Sequence, residues 1–262
     1  MSKYTMQDLI NIMDRLRGEQ GCPWDKAQTR DSLKPYVIEE AYEVVDAIDK
    51  NNKEDLIEEL GDLLLQIVFH CRLAKERGEF DITDVIDGIC DKMMRRHPHI
   101  FGDVKVKNAD EVLKNWEDIK REEKDMKSQA QGMESLPKTL PALMLAFKVQ
   151  EKAARVGFDW DNAEDAMKKV AEEMDELKEV YKGKNGDKIR EEMGDLLFAV
   201  VNVARFLDVN PELALRDATR KFIRRFNYVE QAAAKSDRKL QEMTLEEMDI
   251  LWEQGKKYEK KF

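Results

Sequence analysis

Cysteine is nearly absent from this chain. Its three copies, Cys22, Cys71 and Cys90, are too few and too scattered for a disulfide framework or a zinc site. An odd count without a paired motif suits a reducing compartment. Helix breakers are scarce as well, with 12 Gly and 6 Pro among 262 residues. That scarcity, beside 38% charged residues and much Leu, Glu, Lys and Ala, predicts helices. No apolar run approaches the roughly 20 residues that span a bilayer. The polar start Met1–Asp8 shows no apolar signal core. A soluble, cytoplasmic protein without membrane contact is expected. Positive charge is in deficit too. At a net charge of −10, a nucleic-acid polymer, which needs a basic face, is not an expected partner. Single nucleotides are not excluded, because a divalent cation bridges carboxylates to phosphates.

What the chain does have is a second copy of itself. Glu39-Glu40-Ala41-Tyr42-Glu43 and Glu58-Glu59-Leu60-Gly61-Asp62-Leu63-Leu64 are answered by Glu172-Glu173-Met174-Asp175-Glu176 and Glu191-Glu192-Met193-Gly194-Asp195-Leu196-Leu197. Both blocks are displaced by 133 positions. Lys92–Arg96 pairs in the same order with Lys221-Phe222-Ile223-Arg224-Arg225, and Trp116 with Trp252. An isolated E-x-x-E means little in a chain with 55 acidic residues, but an ordered series at near-constant offset is not a composition effect.

The stretch from Ser128 to Gly132, with Pro137 and Pro141 behind it, breaks the helical pattern. It divides the chain into an N-terminal module, 1–128, a linker, 129–140, and a C-terminal module, 141–262. The expected fold is all-α, two tandem helical bundles of about five helices each. The first set is expected near 5–17, 32–49, 53–77, 82–96 and 109–127. The second is expected near 141–155, 163–182, 187–207, 211–235 and 244–260. Asn210-Pro211 supplies a cap with proline at the first helical position, and Thr244 with Glu247 has capping-box spacing.

Helical rotation of about 100° per residue turns the repeat into a site. Val170, Met174, Leu177 and Tyr181 form an apolar stripe on one helix, and Met193, Leu196, Leu197 and Val200 form one on the next. Both are expected to be core. Glu173, Glu176, Glu192 and Asp195 lie along the stripe edges. A short turn between antiparallel helices would bring the four carboxylates together. Glu40, Glu43, Glu59 and Asp62 form the equivalent set in the first module. Oxygen-only ligands suit Mg²⁺, or Mn²⁺ in its place. A di-iron bundle needs Glu-x-x-His, and the residues three before His70, His97 and His99 are Ile67, Met94 and Arg96.

These residues resemble the MazG family, nucleoside triphosphate pyrophosphohydrolases of the all-α NTP pyrophosphatase superfamily, which carries E-E-x-x-E followed by E-x-x-D on the next helix. The likeness spans essentially the whole chain in a two-module form. It includes Gly21-Cys22-Pro23-Trp24-Asp25, Arg95-Arg96-His97-Pro98-His99-Ile100-Phe101 and Gly157-Phe158-Asp159-Trp160. The resemblance implies Mg²⁺-dependent hydrolysis of (d)NTPs to (d)NMP and pyrophosphate, broad base tolerance, a homodimer and a role in nucleotide-pool housecleaning. A non-catalytic nucleotide-sensing helical dimer is the alternative.

Charge distribution separates the halves. Lys169 and Lys188 each sit one turn before a proposed ligand, on its face, and their counterparts are Tyr36 and Asp55. The C-terminal module is therefore the expected catalytic centre, and the N-terminal acid set the weaker metal site. Glu172, Glu173 and Glu192 are the catalytic candidates, with Glu172 free to take the proton of an attacking water. Lys221 and Arg225, one turn apart, could grip phosphate oxygens, and Trp252 could stack on a base. Glu191 and Arg224 complete the candidate nucleotide-binding set. Trp24 and Trp160 are assigned to packing, and His97-Pro98-His99 to a structural or substrate-loop role.

Overall fold

The computed structural model describes residues 3–123, 128–183 and 185–259. Helices are the only regular elements among them, and no described helix is long and apolar enough to cross a membrane. The chain forms two compact units, Met1–Lys120 and Arg121–Phe262.

The first unit contains α1 (Met6–Leu16), α2 (Pro23–Ala27), α3 (Arg30–Lys50), α4 (Lys53–Glu76), α5 (Ile82–Arg96) and α6 (Pro98–Phe101), and α7 (Ala109–Glu123) carries the chain across the division. Its central hairpin is α3 against α4. Asn51 makes the reversal by taking left-handed backbone (φ 50°), which Asn tolerates better than most residues. Asn52 then caps α4 by accepting from the Glu54 and Asp55 amides. Met13, Leu33, Val68, Phe69 and Leu73 form the core where α1 crosses this hairpin.

The second unit contains α8 (Gln129–Glu134), α9 (Ala142–Ala154), α10 (Ala163–Val180), α11 (Gly186–Phe206), α12 (Pro211–Lys235) and α13 (Leu245–Glu259). Its central hairpin, α10 against α11, repeats the first. Asn162 caps α10 through the Asp165 amide and Asn185 caps α11 through the Lys188 amide. The buried residues are smaller here: Ala166, Leu196, Ala199, Val201, Val229 and Ala233.

All ten expected long helices are present, to within a few residues at their ends. Positions 124–127 and 260, expected to close two of them, lie outside the described residues. The division differs from the expected linker. It falls at 120/121, and residues 129–134 of that linker are the helix α8, packed on α9. Ser128 starts this helix by capping the Gln131 amide, so a stretch that breaks a long amphipathic pattern still makes one short helix. A second correction concerns the apolar stripes. Leu196 is buried, but Met174, Tyr181, Met193, Leu197 and Val200 are exposed, with Leu197 at 50%. The spacing correctly finds one apolar face, but no described element of the second unit buries it.

Candidate active site

The α10–α11 hairpin holds three of the four expected acids in one place. Carboxylate oxygens of Glu173, Glu192 and Asp195 lie within 4.8 Å of one another. Glu176 stands one turn along α10 from Glu173, and the nearby charge of Glu173 holds its carboxyl above the usual range. Glu173 is the most buried of the set, at 5% exposure. One of its oxygens binds Lys169 at 2.6 Å, and Oε2 is buried without a hydrogen-bond partner. Lys169 also binds Glu172 at 2.8 Å, and the two carboxylates push its pKa up.

The first unit repeats the arrangement with a different trio, Glu40, Glu43 and Glu59. Glu40 and Glu59 are both raised, chiefly by burial and then by neighbouring carboxylates, Asp62 first among them at Glu40 and Glu43 at Glu59. Asp62 thus remains in electrostatic reach of the set.

An orphaned carboxylate oxygen beside two further acids fits a hard cation. Octahedral Mg²⁺ spans opposite oxygens about 4 Å apart, so small rotamer adjustments close the trio around it. Glu173→Gln would keep the shape and lose the charge.

The halves differ in what lies beyond the acids. In the second unit Glu173 and Asp195 form one wall of a cleft of about 690 Å³, within the range of small-molecule sites. Gln150 and Ala153 from α9, Phe198, Ala199, Asn202 and Arg205 from α11, and Phe158 and Trp160 from the connecting loop supply other walls. The loop turns at Gly157, whose φ of +81° would strain any side-chain-bearing residue. Arg205 fastens it through an ion pair to Asp159. A shallower depression continues past Lys169 and Trp160 to Asp165 and Glu172.

In the first unit the equivalent positions, 133 residues earlier, are filled. Gln66 replaces Ala199 and Phe69 replaces Asn202, and both are buried. The Arg17 guanidinium covers the Phe69 ring at 5.4 Å, binds Glu76 at 2.8 Å and donates to the carbonyls of Asp25 and Gln28.

The remaining candidates lie apart from the cleft walls. Lys188 and Glu191 are exposed on α11. On α12, Arg224 and Arg225 pair with Glu259, at 3.4 and 2.7 Å, and Lys221 is exposed. Trp252 packs on Phe222 with ring centroids 5.0 Å apart, and Arg225 lies over it at 5.8 Å. Trp160, assigned to packing, instead lines the cleft, 45% exposed. His97 Nδ1 lies 2.7 Å from the Met93 carbonyl at the end of α5. Gln150, Phe198, Asn202 and Arg205 carry no motif. Their signal is the contrast between Ala199 and Asn202 and their bulky counterparts Gln66 and Phe69.

A family description, "MazG nucleotide pyrophosphohydrolase domain", matches residues 28–101 and again 161–230. The chain is 48% identical to the nucleoside triphosphate pyrophosphohydrolase/pyrophosphatase MazG of Thermotoga maritima, covering 95% of both chains. It is 47% identical to the nucleoside triphosphate pyrophosphohydrolase of Escherichia coli, over 96% of this chain and 97% of that protein. YabN of Bacillus subtilis is 50% identical over 96% of this chain, which spans 51% of YabN.

Proposed function

Because the chain belongs to the MazG family and is a nucleoside triphosphate pyrophosphohydrolase, we propose that its C-terminal module is the Mg²⁺-dependent catalytic centre. There it hydrolyses NTPs and dNTPs to the monophosphate and pyrophosphate. The observation that carries this is the joining of an acid trio to an open cleft in one module, against a different acid trio beside a filled core in the other. The pyrophosphohydrolase assignment removes the non-catalytic sensor as an alternative.

Glu173, Glu176, Glu192 and Asp195 would hold the Mg²⁺, with Mn²⁺ able to replace it. When bound, the ion supplies polarisation of phosphate oxygens and a lowered pKa for water. Lys169 brings positive charge to the seam between acids and cleft, where a triphosphate lies only partly neutralised. Glu172, exposed and paired with Lys169, would accept a proton from the attacking water. The base enters the cleft against Trp160, Phe158 and Phe198, so the stacking role given to Trp252 passes to these rings. The N-terminal trio serves as a weaker cation site. Removal of non-standard nucleotides in the cytoplasm fits a cleft that is mostly apolar.

Lys169 also holds the buried Glu173 in place. Lys169→Met would leave that carboxylate uncompensated, at a cost of about 3 kcal/mol. The expected result is a lower melting temperature in chelator, most of it restored by millimolar Mg²⁺. A variant that melts like the parent in chelator would show that Lys169 does not hold Glu173.

A homodimer accounts for the exposed stripe. Met167 and Met174 on α10 and Tyr181 at its C-cap recur every seven residues, and Met193, Leu197 and Val200 are exposed on α11. An apolar band of this kind marks an interface. Within one chain Lys188, Lys221, Arg224 and Arg225 do not line the cleft. Val200→Lys with Met174→Lys is expected to halve the sedimenting mass. A parent protein that sediments as a monomer at micromolar concentration removes the proposal.

A further inference from the structure

The cation that Glu173 holds in this structure is an ammonium from its own helix. Lys169 Nζ lies 2.6 Å from Glu173 Oε1 and 2.8 Å from Glu172 Oε1. Glu173 is 5% exposed, and its other oxygen, Oε2, is buried without a hydrogen-bond partner. Glu173 is also the buried member of the trio with Glu192 and Asp195. One carboxylate thus serves two cations, a lysine that never leaves the chain and the divalent ion proposed for the acids.

Two cations on one carboxylate oppose each other. A divalent ion among the acids lies within a few ångströms of the ammonium, and salt screens that repulsion little where the carboxylate is buried. Lys169 has an alternative. Its second partner, Glu172, is exposed and is not one of the trio. Lys169 itself is 33% exposed and lines both the cleft and the shallower depression beside it. An incoming anion therefore meets the ammonium from the solvent side. The device belongs to one module. Tyr36 stands at the matching position of the first unit, 133 residues earlier, so the trio there has no lysine one turn before Glu40.

Resting on the reading of these acids as the Mg²⁺ site, we infer that Lys169 is a resident counter-ion that lowers the affinity of the nucleotide-free site for Mg²⁺. Metal then enters with nucleotide and not ahead of it. In the empty protein the ammonium balances Glu173 and repels the ion. A triphosphate gives Lys169 a competing anion, and Glu173 is left to hold metal. The coupling is reciprocal: the affinity that Lys169 withholds from metal in the empty protein is returned when phosphate is bound.

The test is calorimetric titration of the full-length protein with MgCl₂ and no nucleotide. Glu59→Gln is carried throughout, which breaks up the first-unit trio so that the heat reports the second unit. Lys169→Gln keeps a hydrogen-bond donor for Glu173 and removes the charge. It should bind Mg²⁺ about tenfold tighter or more, the effect of removing a unit charge a few ångströms from a divalent ion. Lys169→Arg keeps the charge and should leave the affinity where it was. Equal affinity with and without the Lys169 charge overturns the inference and leaves the acids standing as a metal site. A site that fills at micromolar Mg²⁺ with Lys169 in place overturns it as well. If Lys169→Gln unfolds before it can be titrated, Glu172→Gln carries the test in the other direction. It leaves the ammonium to Glu173 alone, so affinity should drop severalfold, and an unchanged value sinks the inference. Absence of binding heat from every one of these proteins, at Mg²⁺ concentrations that support hydrolysis, removes the metal reading and the inference together.

Discussion

Replacing Glu192 with Gln, or Asp195 with Asn, should lower kcat at least about a hundredfold, because each removes one anionic ligand from a site that supplies several kcal/mol. Neither change should unfold the protein. Glu192 is half-buried and Asp195 exposed, and the swaps keep shape while relieving like-charge repulsion. Far-ultraviolet circular dichroism should therefore match the parent while pyrophosphate release is lost. Glu59→Gln and Asp62→Asn form the control pair, and should leave most of the activity. Activity lost through the second pair and kept through the first would move the catalytic centre to the N-terminal module.

Filling the cleft should be nearly as damaging by another route. Ala199→Gln with Asn202→Phe gives the second module the side chains that the first module already buries at Gln66 and Phe69. The acid trio stays intact. Mg²⁺ binding, followed by thermal shift, should persist while kcat/KM for ATP falls by about a hundredfold or more, the effect of losing base binding worth roughly 3 kcal/mol. An unchanged kcat/KM would mean that the nucleotide does not use this cavity. The two experiments separate cation binding from base binding within a single module.

The long helices and the acid sets were legible because both depend on short-range periodicity. The caps predicted at Asn210 and Thr244 are made: Asn210 accepts from the Glu212 and Leu213 amides, and Thr244 exchanges bonds with Glu247. Helices α2, α6 and α8, of four to six residues, are too short to show a period. The stripe on α10 and α11 was read as core because spacing reveals which face is apolar and not what lies against it. The cleft was invisible for a related reason. Gln150 and Asn202 sit 52 positions apart in the sequence, and their amides are ordinary residues until two helices bring them to one wall. Comparing the repeats position by position would have exposed the difference, since the acids are retained in both copies and their neighbours are not.

The uneven interiors have a thermodynamic consequence. One half closes over Met13, Leu33 and Phe69, while the other buries mainly alanines and valines beside a hollow. Occupancy of that hollow adds free energy only to the native form, by an amount that grows with the logarithm of solute concentration. Resistance to heat in the first half is thus written into its own side chains, whereas in the second, with nucleotide seated in the hollow as proposed, it would follow how much nucleotide surrounds it.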